Sequence, residues 1–451
     1  MSNPLSRANH VLSALLTPAR NAMLAIILTA FLLGGYYQLR GWMTVPPGIT
    51  GDEPSYISIG WESSQGNGYQ LDFSSSELQQ LYKSHGTTPP KPSIADRSPD
   101  TTRPPLLPFI IAVLDWLTPG KELWSIRIWN ILCLALTCGL VVRQITKRYG
   151  PIGGLLVIPL FVGLDLNTRL YGRAILTEAT ATLLIALLSL SLMRFSGMAR
   201  YFRMAHLKTA GMAGLWMTLA IYDRTSFLLW VPIVLTGMVI SLRQHDRKRW
   251  LKESTKAATV FFGIVIVGFA PWAVRNIIVT GEFMPTGTQG ATQLSAAYSD
   301  IAWESQGVWS NLEDHHFFDK INDIEMSPLE SRIAKAKFSQ QAANDWIGKH
   351  PVKAAILPAM KVWQSVKPRS ISQLILLFFA LIGFWSWQSD PLKSAFLIIL
   401  TACFTGIGMT WSVEGRFLVP VLFVWHCLAA AGICRTLGLK TSEQIPEKTV
   451  H

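Results

Sequence analysis

Two adjacent acids, Asp52 and Glu53, open the stretch Asp52-Glu53-Pro54-Ser55-Tyr56-Ile57-Ser58-Ile59-Gly60-Trp61. A carboxylate held beside an incoming hydroxyl can accept its proton. Pro54 presets the φ of a helix entry, and Asp52 or Glu53 can cap the turn it starts. A helix beginning here places Glu53, Tyr56, Ile57 and Gly60 on one face. Taken alone, the pair reads as an N-cap followed by a solvated acid. Further ionisable residues lie far away in the chain: Arg103, Arg169, Arg173, Glu178, Asp223, Arg224, Arg275, Glu414 and Arg416. Guanidinium forks bind phosphate well. Arginines gathered with two or three carboxylates suit a reaction in which an anion leaves and a hydroxyl is deprotonated.

Whether these groups can meet depends on the elements that carry them. The chain has 451 residues, 50% hydrophobic and 15% charged, with 17 Trp and a mean hydropathy of +0.30. Several apolar runs approach the ~20 residues needed to cross a bilayer. We expect an all-α polytopic membrane protein of about ten transmembrane helices, within a range of about nine to twelve. The spans fall near 22–39, 123–142, 151–166, 175–193, 209–222, 226–242, 257–273, 371–387, 394–411 and 417–434. The run 104–117 is too short to cross and reads as re-entrant or interfacial. The first span lacks a small-residue cleavage site and reads as uncleaved. Five cysteines, Cys133, Cys138, Cys403, Cys427 and Cys434, lie in or beside apolar runs and form no disulfide framework.

Charge sets the orientation. With the N-terminus (1–21) inside, the inner segments carry a strong excess of Lys and Arg, while the outer ones are nearly balanced. The net charge of +12 is therefore a positive-inside signature and no nucleic-acid footprint. The organisation is a cytoplasmic N-terminus (1–21), a transmembrane catalytic core (22–273) with an outer loop at 40–103, an outer, mostly helical segment (274–369), C-terminal transmembrane helices (370–434) and a cytoplasmic tail (435–451). Residues 329–347 read as an amphipathic helix with Ile333, Phe338, Ala342, Trp346 and Ile347 on its apolar face, ended by His350-Pro351. All the candidate charges then fall on the outer membrane face. Arginines in short outer loops run against the positive-inside tendency, and ionisable groups near membrane depth are functional candidates by default. No nucleotide is available there, so the phosphate is most readily that of a lipid, which describes transfer of a sugar from a polyprenyl phosphate.

The chain resembles GT-C-fold glycosyltransferases of the branch related to protein O-mannosyltransferases and the lipid A aminoarabinose transferase. The resemblance is carried, in order, by Asp52-Glu53 with Tyr56; Arg103-Pro104-Pro105-Leu106; Arg127 and Asn130; Tyr171 with Thr177-Glu178; Pro271-Trp272-Ala273-Val274-Arg275-Asn276 with Gly281-Glu282-Phe283; Trp346-Ile347 with His350-Pro351; and Arg416-Phe417-Leu418-Val419-Pro420. It implies a GT-C bundle with interfacial helices and a small periplasmic cap in the bacterial inner membrane. It implies Asp52 as general base, Glu53 orienting acceptor or donor, Glu178 as second carboxylate, and Arg103 and Arg275 holding the lipid phosphate. Tyr56, Arg173, Arg224 and Arg416 are substrate-binding candidates by position. The partners implied are a lipid-linked sugar donor, a glycolipid or glycan acceptor and membrane lipids. No cofactor is expected; the related branch generally works without a metal, and a divalent ion is left open. The long polar loop from Gln65 to Thr102 departs from the family pattern and leaves the acceptor open. The sequence gives no oligomeric state. His315-His316 with Glu313, Asp314 and Asp319 read as an exposed polar loop more readily than as a metal site, and His426 as a hydrogen-bonded bundle residue. A flippase or transporter of a lipid-linked anion is the alternative in another class, and a lipid-linked glycan polymerase or ligase a nearer one.

Overall fold

The computed structural model describes residues 4–45, 52–84, 86, 89, 97–199, 205–243, 250–387, 391–413 and 415–439. Glu414, the basic loop at 244–249 and the tail beyond 439 lie outside the described residues.

After α1 (Pro4–Leu15), the long apolar α2 (Pro18–Leu39) starts at Thr17, whose side chain accepts from Arg20 N. The segment that follows holds α3 (Glu53–Ser64), α4 (Ser76–Ser84) and the short apolar α5 (Leu106–Leu117). Gln70–Leu71 pairs antiparallel with Ser98–Pro99 in this segment. Helix α3 lies tightly on α5, because a Cβ on Gly60 would come within 2.5 Å of Ile111 Cγ2. As expected, α5 is an apolar helix too short to cross.

The bundle continues through α6 (Glu122–Leu155), α7 (Leu166–Arg173), α8 (Glu178–Ala199), α9 (Ala205–Asp223), α10 (Val231–Arg243) and α11 (Trp250–Thr280). The third span, expected at 151–166, is no continuous helix. Helix α6 breaks at Gly150, with φ +78° before Pro151, and a π-helical turn at Pro159–Leu164 separates it from α7. Pro151 and Pro159 lack the N–H that would carry an α-helix through.

A helical cap comprises α12 (Gln289–Thr292), α13 (Leu294–Ala297), α14 (Asp300–Glu304), α15 (Asp319–Asn322) and α16 (Pro328–Lys349). A capping box of Ser327 and Glu330 starts α16. Its buried side is Ala336, Ser339, Ala343 and Trp346, whereas the expected Phe338 is 38% exposed. Small residues win this face because α13 approaches closely: Ser295 N donates to Ser339 Oγ, and Ser295 Oγ to Ser339 O. Helices α17 (Pro351–Val366) and α18 (Ile371–Ser386) then meet at 107°. Finally, α19 (Pro391–Met409) and α20 (Leu422–Thr436) flank a 3₁₀ turn at Arg416–Val421.

Seven helices among the described residues are long and apolar enough to cross a membrane, or eight if the bent α17–α18 pair is one span. The protein is a multi-pass, all-α membrane protein. The count falls below ten because the third span is broken and because His206, Lys208 and several Gly and Thr residues dilute α9. Helix α9 packs between α8 and α11 as part of the bundle. All five cysteines are buried, and none forms a disulfide among the described residues.

Candidate functional site

Asp52 occupies the N-cap position of α3, but its side chain makes no capping bond. Asp52 leaves the expected cap role unused, and Glu53 Oε1 accepts from Ile175 N at 2.8 Å, tying α3 to the segment before α8. The Asp52 carboxylate is thereby free for long-range partners. Its Oδ1 lies 2.7 Å from Arg103 Nη1 and its Oδ2 lies 3.1 Å from Arg416 Nη2.

Arg103 is delivered by a turn built on Asp100, which is fully buried. Asp100 Oδ2 accepts from the backbone N–H groups of Thr102 and Arg103, and Oδ1 from the Thr102 hydroxyl. Tyr69 donates its hydroxyl to Arg103 O at 2.9 Å. The cap supports the same turn. Gln289, with its amide turned to satisfy both neighbours, donates to Thr102 O at 2.7 Å and accepts from Arg103 Nη1 at 2.8 Å. Arg332 of α16 donates to Pro99 O and Ser98 Oγ. The Arg103 guanidinium also lies 5.5 Å from the centre of the Tyr56 ring, a cation–π distance.

Glu178, the first residue of α8, is fully buried. Its Oε1 accepts from Arg416 Nε at 2.5 Å and from Arg224 Nη2 at 2.7 Å, while Oε2 has no partner among the described residues. Arg416 is placed by Gly415, whose φ of +88° favours glycine, and Thr182 of α8 donates to Val419 O in the turn that follows. Arg224 stacks at 4.9 Å on the ring of Phe417 in that turn. Asp223 is fully buried, and among the described residues neither of its carboxylate oxygens finds a hydrogen-bond partner.

Five charged groups from five separate segments thus form one continuous chain: Arg103, Asp52, Arg416, Glu178 and Arg224. Burial pushes the Asp52 carboxyl up, but Arg103 and then Arg416 outweigh it and hold it at about 2. Burial raises the Tyr56 phenol, so it stays protonated as a donor. The two ion-paired carboxylates face three guanidiniums, which leaves cationic charge available for an anion.

Two expected residues lie elsewhere. Arg275 donates to Tyr69 O and Asp100 O and stacks at 5.0 Å on Trp272, so it secures the loop behind Arg103. Arg173 lies 4.2 Å over the Trp42 ring, and its carbonyl accepts from Arg127 Nε. It pairs with no site carboxylate among the described residues. Sequence reasoning did not single out Asp100, Gln289 or Arg332 as site residues, since ordinary loop residues acquire these roles only through tertiary contact. His315 and His316 do not gather a metal set: among the described residues no group of three or more His, Cys, Asp or Glu could hold an ion. His426 lies 3.2 Å from Asp165 inside the bundle.

No family profile and no curated protein matches this sequence. Solved structures do match the fold. The Archaeoglobus fulgidus oligosaccharyltransferase AglB, in complex with an inhibitory peptide and a dolichol-phosphate, is 13% identical over 91% of this chain and 50% of that one, with a TM-score of 0.50. Its apo form gives 12% identity over 90% and 50%, with a TM-score of 0.51. The fold is that of the GT-C glycosyltransferases. ArnT from Cupriavidus metallidurans bound to undecaprenyl phosphate also matches, at 13% identity over 92% and 77% with a TM-score of 0.40. The chain spans about half the length of the oligosaccharyltransferase chains it matches.

Proposed function

We propose that the protein is a glycosyltransferase of the bacterial inner membrane. It moves a sugar from a polyprenyl-phosphate donor to an envelope acceptor, such as a lipopolysaccharide, lipid or polysaccharide, on the periplasmic face, with inversion at the anomeric carbon. Both termini are cytoplasmic in this reading, and the 40–103 and 274–369 segments are periplasmic. The observation that carries it is Asp52 held between Arg103 and Arg416, with the second guanidinium shared by Glu178. A GT-C fold supports it, and the archaeal neighbour's dolichol-phosphate is chemistry of the same kind.

In the reaction the acceptor hydroxyl donates to Asp52 and attacks the anomeric carbon. The bond from that carbon to the phosphate oxygen breaks, the proton passes to Asp52, and polyprenyl phosphate leaves. Arg103, Arg416 and Arg224 neutralise the phosphate through preorganised charge-assisted bonds. A carboxylate held at about 2 is a weak base toward a resting hydroxyl. Proton transfer is therefore late, when bond formation at carbon has acidified the hydroxyl. The phosphate also competes for the guanidiniums that clamp Asp52, so donor binding loosens the clamp and strengthens the base. Glu53, Tyr56 and Glu178 fix the geometry around this exchange.

The test is the envelope of cells lacking the protein. Mass spectrometry should show a glycolipid or glycan lighter by one sugar, together with accumulation of polyprenyl-phosphate sugar. Unchanged glycans with an altered leaflet distribution of intact lipid-linked sugar would instead indicate a flippase.

A further inference from the structure

One side of α2 is exposed along its length. Met23, Ile27 and Phe31 recur there every four residues, 59%, 59% and 75% exposed. An apolar stripe of this kind on a multi-pass protein faces acyl chains.

At the end of α2 that leads to α3, three guanidiniums gather on two rings. Tyr36 and Trp42 meet edge to face with centroids 5.4 Å apart. Arg40 lies 5.6 Å and Arg169 5.3 Å from the centre of the Tyr36 ring, and Arg173 lies 4.2 Å from that of Trp42. Aromatic faces attract cations but carry no net charge to neutralise them. The platform is fixed from behind. Tyr37 donates its hydroxyl to Arg169 O at 3.0 Å, and the buried Arg127 donates to Met43 O at 3.0 Å and Arg173 O at 3.2 Å.

No acid occurs in 36–51 or 166–173, the segments that build this cluster. The Arg416 turn packs on another side of α7. A Cβ on Gly415 would lie 3.3 Å from Asn167 Nδ2, and Asn167 is rotated about 200° round the helix from Arg169. Arg169 Nε is buried and finds no hydrogen-bond partner among the described residues. Like charges four apart on a helix repel, as Arg169 and Arg173 do, and an anion shared between them relieves the repulsion.

We propose that Arg40, Arg169 and Arg173 bind the phosphate of an anionic membrane phospholipid whose acyl chains lie along the exposed stripe of α2. Guanidinium forks suit phosphate, and Tyr and Trp favour headgroup depth. A bulk lipid is favoured over a reactant by position. The cluster borders the exposed helix and faces away from the Arg416 turn, while Asp52 and Glu178 pair with Arg103, Arg224 and Arg416 instead. A headgroup there braces α7, which borders the site on two sides: Ile175 N, just beyond Arg173, donates to Glu53, and Asn167 packs on Gly415.

The experiment uses the full-length protein in phosphatidylcholine nanodiscs carrying a minor fraction of phosphatidylglycerol, with native mass spectrometry of the lipids that stay bound. Wild type should retain phosphatidylglycerol over phosphatidylcholine by about tenfold or more, since each basic residue at a membrane surface contributes roughly fivefold, about 1 kcal/mol. Arg40→Gln, at an exposed position, and Arg169→Gln should each lower the preference about fivefold. Phosphatidylglycerol should raise the unfolding temperature of wild type more than that of Arg40→Gln, with the two equal in phosphatidylcholine alone. Lys320→Gln combined with Lys349→Gln, which removes two exposed charges from the cap, should leave the preference intact. Equal retention of both lipids by wild type, an equal loss in the cap variant, or an unchanged preference in both arginine variants would overturn the site. Displacement by equimolar polyprenyl phosphate would give the cluster to the donor, and displacement by inorganic phosphate would make it a free-phosphate site; either result also overturns the proposal.

Discussion

Arg416 Nε donates to the fully buried Glu178 Oε1 at 2.5 Å. The far side of the same guanidinium reaches Asp52 at 3.1 Å, so one planar group joins the outer loop to the bundle. A lysine ammonium is a single point charge and cannot span both carboxylates. Arg416→Lys should therefore lower kcat/KM by about tenfold or more, while the protein still extracts and unfolds as one species. Near wild-type kcat/KM in this variant would show that bidentate geometry is not needed.

Glu178 holds two guanidiniums on one oxygen inside the bundle. Removing one partner of a buried ion network leaves uncompensated charge and typically costs about 3–5 kcal/mol. Glu178→Ala should show a loss of that order in equilibrium or thermal unfolding in detergent. Glu178→Gln, which keeps the shape and one acceptor, should lose less. Equal stability of Glu178→Ala and wild type would mean that water already shares this charge.

Asp52 predicts a pH signature. Its folded pKa lies below its ordinary value, so the stability it contributes is complete above the ordinary carboxylate range and is lost only as pH falls through about 2. In the free enzyme it is ionised throughout the physiological range. The acidic limb of kcat/KM between about pH 5 and 8 should thus be flat with respect to this group. A limb in that window that disappears in Asp52→Glu or Asp52→Asn would show that Asp52 titrates much higher than its two arginines allow.

Arg275 and Arg103 separate by role. Arg275 secures the carbonyls of Tyr69 and Asp100, whereas Arg103 faces Asp52 directly. Arg275→Ala should mainly destabilise the outer loop, seen as faster proteolysis within 65–103. Arg103→Ala should mainly raise KM for the lipid-linked donor. The reverse pattern, with Arg275→Ala raising KM in an undamaged loop, would place the phosphate at Arg275 as the sequence motif implies.

The multi-pass, all-α class was legible because it follows from apolar run length, and the charged groups that gather around Asp52 stood out between the apolar runs. Asp52, Arg103, Glu178, Arg224 and Arg416 could be named because ionisable groups at membrane edges are rare enough to stand out. The pairings were not legible. That Arg416 would link Asp52 to Glu178 depends on the positive φ of Gly415 and on how the turn after it packs against α8. Arg275 has the same residue type and side of the membrane as Arg103, yet packing turned it toward backbone carbonyls. The third span failed because Gly150-Pro151 and Pro159 break it, although its composition is apolar enough. On α16 the expected Trp346 is buried but Phe338 is not, because small residues at Ala336 and Ala343 allow closer packing than Phe338 would.

The most direct measurement is turnover of a polyprenyl-phosphate sugar by the purified protein in proteoliposomes, comparing wild type with Asp52→Asn. Wild type should consume the donor and release polyprenyl phosphate with the sugar on an acceptor. Asp52→Asn should fold normally and bind the donor but turn over about 10²–10⁴-fold more slowly, the usual contribution of a positioned base. Full turnover by a well-folded Asp52→Asn protein would contradict the assignment of Asp52 as the base.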